Sequence, residues 1–210
     1  MFTLITLNDY IRLTAHIINI VIIVYIWIII IRALISWVNP NPFNPVVKFL
    51  RDITDPVLVP ARRLFPAGGM IDLSPIIVIL ILLFLKIMIV QTLLYISGTT
   101  QGVEGLVILG IFVYAVAMML NMIINVIIFI VVVRAILSWI SPDPRNPIVF
   151  SIYVLSEPFL RPVKRIIPSV GTIDLSPLVV ILIMVLLKIV LINPLFALYK
   201  YLAFHPVLIF

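Results

Sequence analysis

The sequence predicts an all-α membrane protein with four transmembrane helices, and three observations support this fold class. The mean hydropathy is +1.36, and only 10% of the 210 residues are charged, against about 25% in soluble domains. Four apolar runs are each long enough to cross a hydrocarbon core about 30 Å thick, which takes about 20 helical residues. The stretch 32–75 also recurs 102 positions later, at 134–177, without a gap and with 20 of 44 residues identical.

The repeat divides the chain into two predicted domains, 1–104 and 105–210. Each domain holds two spans, and the same loop joins the spans of both. The two loops must then lie on the same side of the membrane. We therefore expect two pseudo-symmetric, parallel hairpin repeats, related by an axis along the membrane normal. The expected spans are about 13–38, 75–96, 112–140 and 177–202.

The first loop begins where Asn39-Pro40-Asn41-Pro42 ends the first span, because a proline disfavours helix in the residue before it. Asn44 is expected to cap a short interfacial helix with Pro45 at its first position. Asp55-Pro56 then predicts the start of a second short turn, and the second loop repeats this plan. The apolar face of the short helix is expected to hold Val46, Phe49, Leu50 and Ile53.

The third and fourth spans carry irregularities of their own. The apolar run 106–140 is longer than one span needs, which predicts a tilted or extended helix, or a short turn before about Tyr114. Asn121 and Asn125 are the polar exceptions in this run. Asn193-Pro194 predicts a kink near the far end of the fourth span.

The distribution of basic residues predicts the orientation of the chain. The two repeat loops hold eight Lys and Arg residues, whereas the opposite side holds only Arg12 and Lys200. Short cytoplasmic loops carry an excess of such residues, so we expect cytoplasmic repeat loops and both termini outside. No cleavable signal is apparent in the first ten residues, so the first span is expected to stay in the mature protein. The eight are Lys48, Arg51, Arg62, Arg63, Arg145, Arg161, Lys164 and Arg165.

Four motifs that occur in the same order in both halves resemble a known family. They are Arg-Ala-x-x-Ser-Trp from Arg32 and Arg134, Asn-Pro, a basic pair followed by x-x-Pro, and Ile-Asp-Leu-Ser-Pro from Ile71 and Ile173. The chain resembles the YggT (YlmG-like) family in its two-repeat form over nearly its whole length. The resemblance implies a bacterial inner-membrane protein with no attached catalytic reaction. It also implies an association with osmotic tolerance, potassium homeostasis, cell division or the assembly of membrane complexes.

Lys86 and Lys188 are the sharpest candidates for a functional site. Each lies 11 residues after the proline that starts its span, about 16 Å along the helix and near the middle of the hydrocarbon core. An ionisable group at that depth suggests an ion or anion path, or a contact with an acidic residue of a partner. The alternative is a lysine that reaches towards the interface or bonds helix carbonyls, and recurs only because the repeat was copied.

Two interfacial clamps are predicted, Arg32 with Asp72 and Arg134 with Asp174. Each arginine lies near the cytoplasmic end of a span, and each aspartate lies just before the next span. Arginine can hold a carboxylate through two parallel hydrogen bonds, which partial burial strengthens. The alternative places each arginine on lipid phosphate and each aspartate at the N-terminus of its helix.

A basic rim is predicted on the cytoplasmic side. Anionic lipid headgroups and an acidic partner would account for it equally well, and plain orientation signalling is the alternative. Trp37 and Trp139, at the ends of their spans, are expected to anchor the chain at the interface. The rim consists of Arg62, Arg63, Arg161, Lys164 and Arg165.

The sequence also argues against several kinds of site. It has no cysteine, and His16 and His205 are solitary, so no metal site is expected. No nucleophile, phosphate loop or pair of carboxylates indicates an enzyme, and no cofactor is expected. The formal charge of +6 comes from short loops between apolar runs, which argues against nucleic acid as a partner.

The favoured function, in line with what the resemblance implies, is a non-enzymatic membrane protein that supports the assembly or maintenance of an envelope system through lateral and cytoplasmic-face contacts. The expected partners are the lipid bilayer, anionic lipid headgroups, and either another membrane protein or further copies of this chain. The alternative function is a small oligomeric ion channel or ion-handling protein, in line with the osmotic and potassium association of the family that the chain resembles.

Overall fold

The computed structural model describes residues 6–37, 41, 43–64, 72, 74–98, 105–140, 143, 146–166 and 174–204. Within these ranges the regular secondary structure is entirely helical. The helices are α1 (Leu7–Trp37), α2 (Pro45–Leu64), α3 (Ser74–Gly98), α4 (Gly105–Ile140), α5 (Pro147–Ile166), α6 (Ser176–Leu187), a π-helical turn (Lys188–Ile192) and α7 (Asn193–Phe204).

Four stretches of these helices are long and apolar enough to cross a membrane. They are Leu7–Ser36, Ser74–Gly98, Gly105–Ile140 and Ser176–Ala203, the last made of α6, the π-helical turn and α7. The predicted all-α fold class with four spans is confirmed. The parallel, pseudo-symmetric relation of the two hairpins stays a prediction.

The third span is one continuous helix, so the extended form predicted for it is the one observed. The fourth span is irregular where the sequence predicted a kink, just before Asn193-Pro194. Pro194 has no backbone N–H, so it cannot complete the hydrogen bonding of the preceding helical turn. The backbone N–H of Asn193 donates instead to the carbonyl of Lys188, five residues back, which is the spacing of a wider π turn.

Helices α2 and α5 continue through their internal prolines without a break, so the predicted second short turn at Asp55-Pro56 is wrong. Pro56 and Pro60 lie four residues apart, which places both on one face of α2, and both are exposed. The carbonyls that lose their N–H donors therefore face outwards, where water or headgroups can replace them. Pro158 and Pro162 repeat this arrangement in α5.

The predicted start of both loop helices is confirmed. The side-chain oxygen of Asn44 accepts a hydrogen bond of 2.9 Å from the backbone N–H of Val46. Asn146 accepts a bond of the same length from the N–H of Ile148. Each asparagine thus satisfies one of the backbone donors that a helix leaves unpaired at its first turn.

The apolar face of α2 differs from the predicted one. Of the residues expected on it, Leu50 is buried, whereas Val46 and Phe49 are each 59% exposed. The reason is that α2 packs against both α1 and α3, and the stripe that meets them lies further round the helix. Its buried members are Val47, Leu50, Thr54, Leu58 and Ala61.

The chain forms two compact units, one of residues 1–119 with 195–210 and the other of residues 120–194. In the first unit α1, α2 and α3 pack against one another. The start of α4 lies close to α7 there, since a Cβ atom built on Gly110 would be 3.3 Å from the Cβ of Leu202. The ring centroids of Tyr114 and Tyr199 are 4.7 Å apart in the same contact.

The second unit has its own apolar core. It joins α4, α5 and α6 through Val131, Leu160, Val163 and Val180. The predicted domains, 1–104 and 105–210, follow the sequence repeat and not these contacts, so that division stays a prediction.

Candidate functional site

The segment that leads into α3 is held by an ion pair. Asp72 accepts hydrogen bonds from the guanidinium of Arg62, with its Oδ2 2.7 Å from Nε and 2.6 Å from Nη2. Its other oxygen accepts a 3.0 Å bond from the backbone N–H of Ser74. Since Arg62 lies in the last turn of α2, the carboxylate ties the end of the loop helix to the start of the next span.

The segment that leads into α6 has an equivalent ion pair. The Nζ atom of Lys164, in the last turn of α5, lies 3.0 Å from Oδ2 of Asp174. Oδ1 of Asp174 accepts a 3.0 Å bond from the N–H of Ser176. These residues follow their counterparts in the first half by 102 positions. The two arrangements are called elbow pairs below: Arg62–Asp72 and Lys164–Asp174.

Both elbow carboxylates are held in their charged form. Burial by itself would raise the pKa of Asp72, but the hydrogen bonds from Arg62 and Ser74 outweigh it, so this pKa lies below its usual range. The pKa of Asp174 is lowered in the same way, with burial opposed by bonds from Ser176 and Lys164. Each elbow is therefore a charged, hydrogen-bonded link at neutral pH.

The predicted clamps name the wrong partners. Arg32 was expected to hold Asp72, but its Nη2 atom lies 2.8 Å from Oδ1 of Asp55. The side chain of Arg32 is only 11% exposed, so this bond joins α1 to α2 within the packed part of the unit. The pairing arises because α2 continues through Pro56 and keeps Asp55 on a helical turn beside α1. Asp72 is thereby left to Arg62.

Arg134 does not hold Asp174 either. Its guanidinium carbon lies 3.2 Å from the centre of the Tyr153 ring, a cation–π contact between α4 and α5. Glu157, the counterpart of Asp55, lies 3.6 Å from Arg161 instead, in an exposed pair one helical turn apart. A sequence difference between the two repeats explains why Arg134 has a different kind of partner from Arg32. Tyr153 stands at the position of Arg51 in the first repeat, and only an aromatic ring offers a face to a cation.

The sequence already contained a signal for Asp55, the partner of Arg32. Asp55 and Glu157 are acidic residues 102 positions apart, each followed by proline. The buried hydroxyls of Thr54 and Ser156 lie just before them and were also missed. Each donates a 2.7 Å bond to a carbonyl one turn back in its own helix, which lets it pack in an apolar contact.

The two lysines of the spans differ in their surroundings. Nζ of Lys188 donates a 2.8 Å hydrogen bond to the side-chain oxygen of Asn125 in α4. Lys188 is also the first residue of the π-helical turn. Lys86 is half-buried in α3, and within the described ranges its side chain makes no hydrogen bond or ion pair. The residue 102 positions before Asn125 is Ile23, which has no polar group to offer.

The predicted basic rim is divided between bound and exposed residues. Arg62 and Lys164 are used by the elbow pairs. Arg63 and Arg165, the next residues along, are exposed, and the side chain of Arg161 is 66% exposed. The exposed residues are called the basic face below, after the cytoplasmic side on which all three are expected: Arg63 in the first unit, and Arg161 and Arg165 in the second.

The predicted interface anchors are only partly described. Trp139 is 82% exposed near the end of α4. The side chain of Trp37 lies outside the described part of the structure, as does His205. His16 is exposed in α1, and the described residues contain no group of three or more potential metal ligands.

Comparison with known proteins gives matches along most of the chain. The family model described as CCB3/YggT matches residues 11–93 and again residues 113–195. The two matched segments start 102 positions apart (113 minus 11), so the predicted internal repeat is confirmed. No solved structure shows significant similarity to the chain.

Several bacterial proteins are similar in sequence. One from Escherichia coli (strain K12), named "Uncharacterized protein YggT", is 33% identical over 163 residues, which cover 76% of this chain and 79% of that protein. One from Haemophilus influenzae is 34% identical over 161 residues, which cover 77% and 81% of the two chains. One from Pseudomonas aeruginosa is 30% identical over 173 residues, with coverage of 82% and 85%.

Proposed function

The chain belongs to the CCB3/YggT family, and from that premise we propose that it supports the assembly or maintenance of membrane complexes without catalysing a reaction. The proposed location is the bacterial inner membrane, with the repeat loops in the cytoplasm and both termini outside. The proposed mode of action is contact, made by the basic face on the cytoplasmic side and by the spans within the bilayer.

The elbow pairs are the observation that carries this proposal. Each loop helix has two consecutive basic residues in its last turn, and the elbow pair uses the first of them, Arg62 or Lys164. This bond fixes the end of the amphipathic loop helix to the next span. The neighbouring Arg63 or Arg165 is left exposed on that fixed end. A preorganised cation loses less freedom on binding than one on a mobile loop, so this arrangement suits recognition of an acidic surface.

The exposed apolar residues of α2 support an interfacial position for the loop helices. Val46 and Phe49 are each 59% exposed on a helix whose other face is packed against α1 and α3. Helices that lie in the headgroup region present apolar side chains to the acyl boundary and basic side chains to the headgroups. The basic face would then stand at the membrane surface, within reach of other membrane proteins.

Photo-crosslinking in native membranes tests the proposal. A crosslinking amino acid at exposed position 59 or 166, beside Arg63 or Arg165, is expected to trap membrane proteins, and the same amino acid at Lys200, on the expected outer side, is the control. The double variant with Arg63→Glu and Arg165→Glu is expected to abolish the adducts from both positions with the amount of folded protein unchanged. Adducts that survive these charge reversals, or that form equally from position 200, would contradict a role for the basic face.

A second candidate function is a small oligomeric channel or ion-handling protein. The hydrogen-bonded Lys188 is the observation in its favour, because ionisable groups inside spans often line ion paths. Purified protein in liposomes would then pass potassium or an anion, and Lys86→Leu with Lys188→Leu would abolish the flux. An absence of flux in the wild-type protein would exclude this candidate.

A further inference from the structure

We propose that Lys188 and Asn125 form a lateral docking site for a transmembrane helix of a different protein that carries a carboxylate near its middle. This inference rests on the proposed function, because it supplies the chemistry of one of the lateral contacts. It concerns the interior of the membrane, and is thus separate from the basic face.

The depth of the site sets its energetics. Lys188 is the thirteenth residue from the start of α6 at Ser176, about 18 Å along the helix and near the middle of the hydrocarbon core. A charged side chain is costly at that depth unless it is compensated. Asn125 supplies one hydrogen bond of 2.8 Å but no charge.

The ammonium group keeps unused binding capacity. It has three donors, and the bond to Asn125 occupies one of them. The amide of Asn125 adds two further donors, and this residue is exposed. Lys188 and Asn125 therefore present a positive charge and several N–H donors, but neither residue supplies a negatively charged group to balance the ammonium. A carboxylate provides both the charge and the acceptors.

The surface beside the site is open to a neighbouring helix. Val185 and Leu191, three residues before and after Lys188, are 40% and 46% exposed, and Phe129, one turn after Asn125, is 66% exposed. The π-helical turn also interrupts the regular surface of the span, and π turns inside α-helices are frequent at functional sites. A second helix can thus approach the polar pair across an apolar rim.

A second copy of this chain is not the expected occupant. The four spans contain a single carboxylate, that of Asp9, in the first turn of α1. Asp9 lies at the end of its span and is bound there by Thr6, whose hydroxyl is 2.7 Å from Oδ2. No carboxylate of another copy would match the depth of Lys188. Charge complementarity therefore points to a different membrane protein.

The first half of the chain provides a matched control. Lys86 lies at the same distance from the start of α3, but Ile23 stands where the repeat would place an asparagine, and α3 contains no π turn. The proposed docking site therefore exists only in the second half of the chain. Substitution of Lys188 should abolish binding of the partner helix, whereas substitution of Lys86 should not.

A binding assay with defined helices tests the proposal. Purified protein in phosphatidylcholine vesicles is mixed with fluorescent transmembrane peptides of polyleucine that carry Glu, Gln or Leu at the centre, and association is measured by energy transfer. The Glu peptide is expected to bind at least about tenfold more tightly than the Leu peptide. Lys188→Met is expected to remove this preference, whereas Lys188→Arg and Lys86→Met keep it. Asn125→Leu should weaken binding with the charge intact.

Each remaining outcome overturns the proposal. Equal binding of the three peptides, or an equal effect of Lys86→Met and Lys188→Met, would show that the site has no special affinity for a carboxylate. Self-association that depends on Lys188 would identify a second copy as the occupant. Because the assay contains no native partner, its failure would leave the crosslinking test of the basic face unaffected.

Discussion

Neutralising Asp72 tests whether its carboxylate is held by Arg62, as in the structure, or by Arg32. Asp72→Asn keeps an oxygen that can accept from the N–H of Ser74 but removes the charge. The bond lengths of 2.6 and 2.7 Å indicate a strong charge-assisted contact. The Arg62 and Asp72 side chains are 37% and 33% exposed, however, so solvent screens the pair. We expect a loss of about 1 kcal/mol in the free energy of unfolding.

A double-mutant cycle isolates the pair. Arg62→Gln and Asp72→Asn, alone and together, are expected to show a coupling energy of about 1 kcal/mol. Arg32→Gln combined with Asp72→Asn is expected to be additive within about 0.5 kcal/mol, because the two side chains have different partners. The assay is reversible unfolding by SDS in mixed micelles, followed by tryptophan fluorescence and circular dichroism. A coupling energy that is larger for Arg32 with Asp72 than for Arg62 with Asp72 would refute the observed pairing.

Three further predictions use the same unfolding assay. Gly110→Leu is expected to lower the free energy of unfolding by about 1–3 kcal/mol, because α7 leaves little room for a side chain, whereas Gly110→Ala should lower it much less. Equal losses for the two variants would contradict the close approach of α4 to α7. Because the pKa values of Asp72 and Asp174 are lowered by folding, their stabilisation is complete above about pH 5 and is lost as pH falls through the unfolded and then the folded pKa. Replacing both by Asn should therefore flatten the acid limb of the stability profile, and an unchanged limb would argue against these links. Tyr153→Leu is expected to lower the free energy of unfolding by about 1 kcal/mol more than Tyr153→Phe does. Both substitutions remove the hydroxyl, but only leucine removes the ring under Arg134.

The repeat made the fold predictable. The apolar runs and their proline-rich boundaries give the four spans from residue chemistry alone, and Asn44 and Asn146 mark the start of the loop helices. Local rules failed where tertiary packing overrode them. Pro56 normally ends a helix, but the prolines of α2 share an exposed face, and packing against α1 and α3 keeps the helix intact.

That these charged residues form polar contacts could be predicted from the sequence, but which residues they contact could not. Arg32, Asp72 and Asp174 all form polar contacts, as expected, but a contact between two helices depends on their register, which periodicity does not fix. The hydrogen bond between Lys188 and Asn125 joins residues 63 positions apart on different spans, and only the folded chain shows it.

Thiol accessibility tests the central claim, a duplicated hairpin whose two elbows lie on the cytoplasmic side. The chain has no native cysteine, so single cysteines at Arg63, Arg165, Leu7 and Lys200 can each be labelled with a membrane-impermeant maleimide. We expect positions 63 and 165 to react only in inside-out vesicles, and positions 7 and 200 only from the outside of intact spheroplasts. Labelling of positions 63 and 165 from opposite sides would contradict the parallel hairpins, and labelling of both from outside would contradict the cytoplasmic face proposed for them.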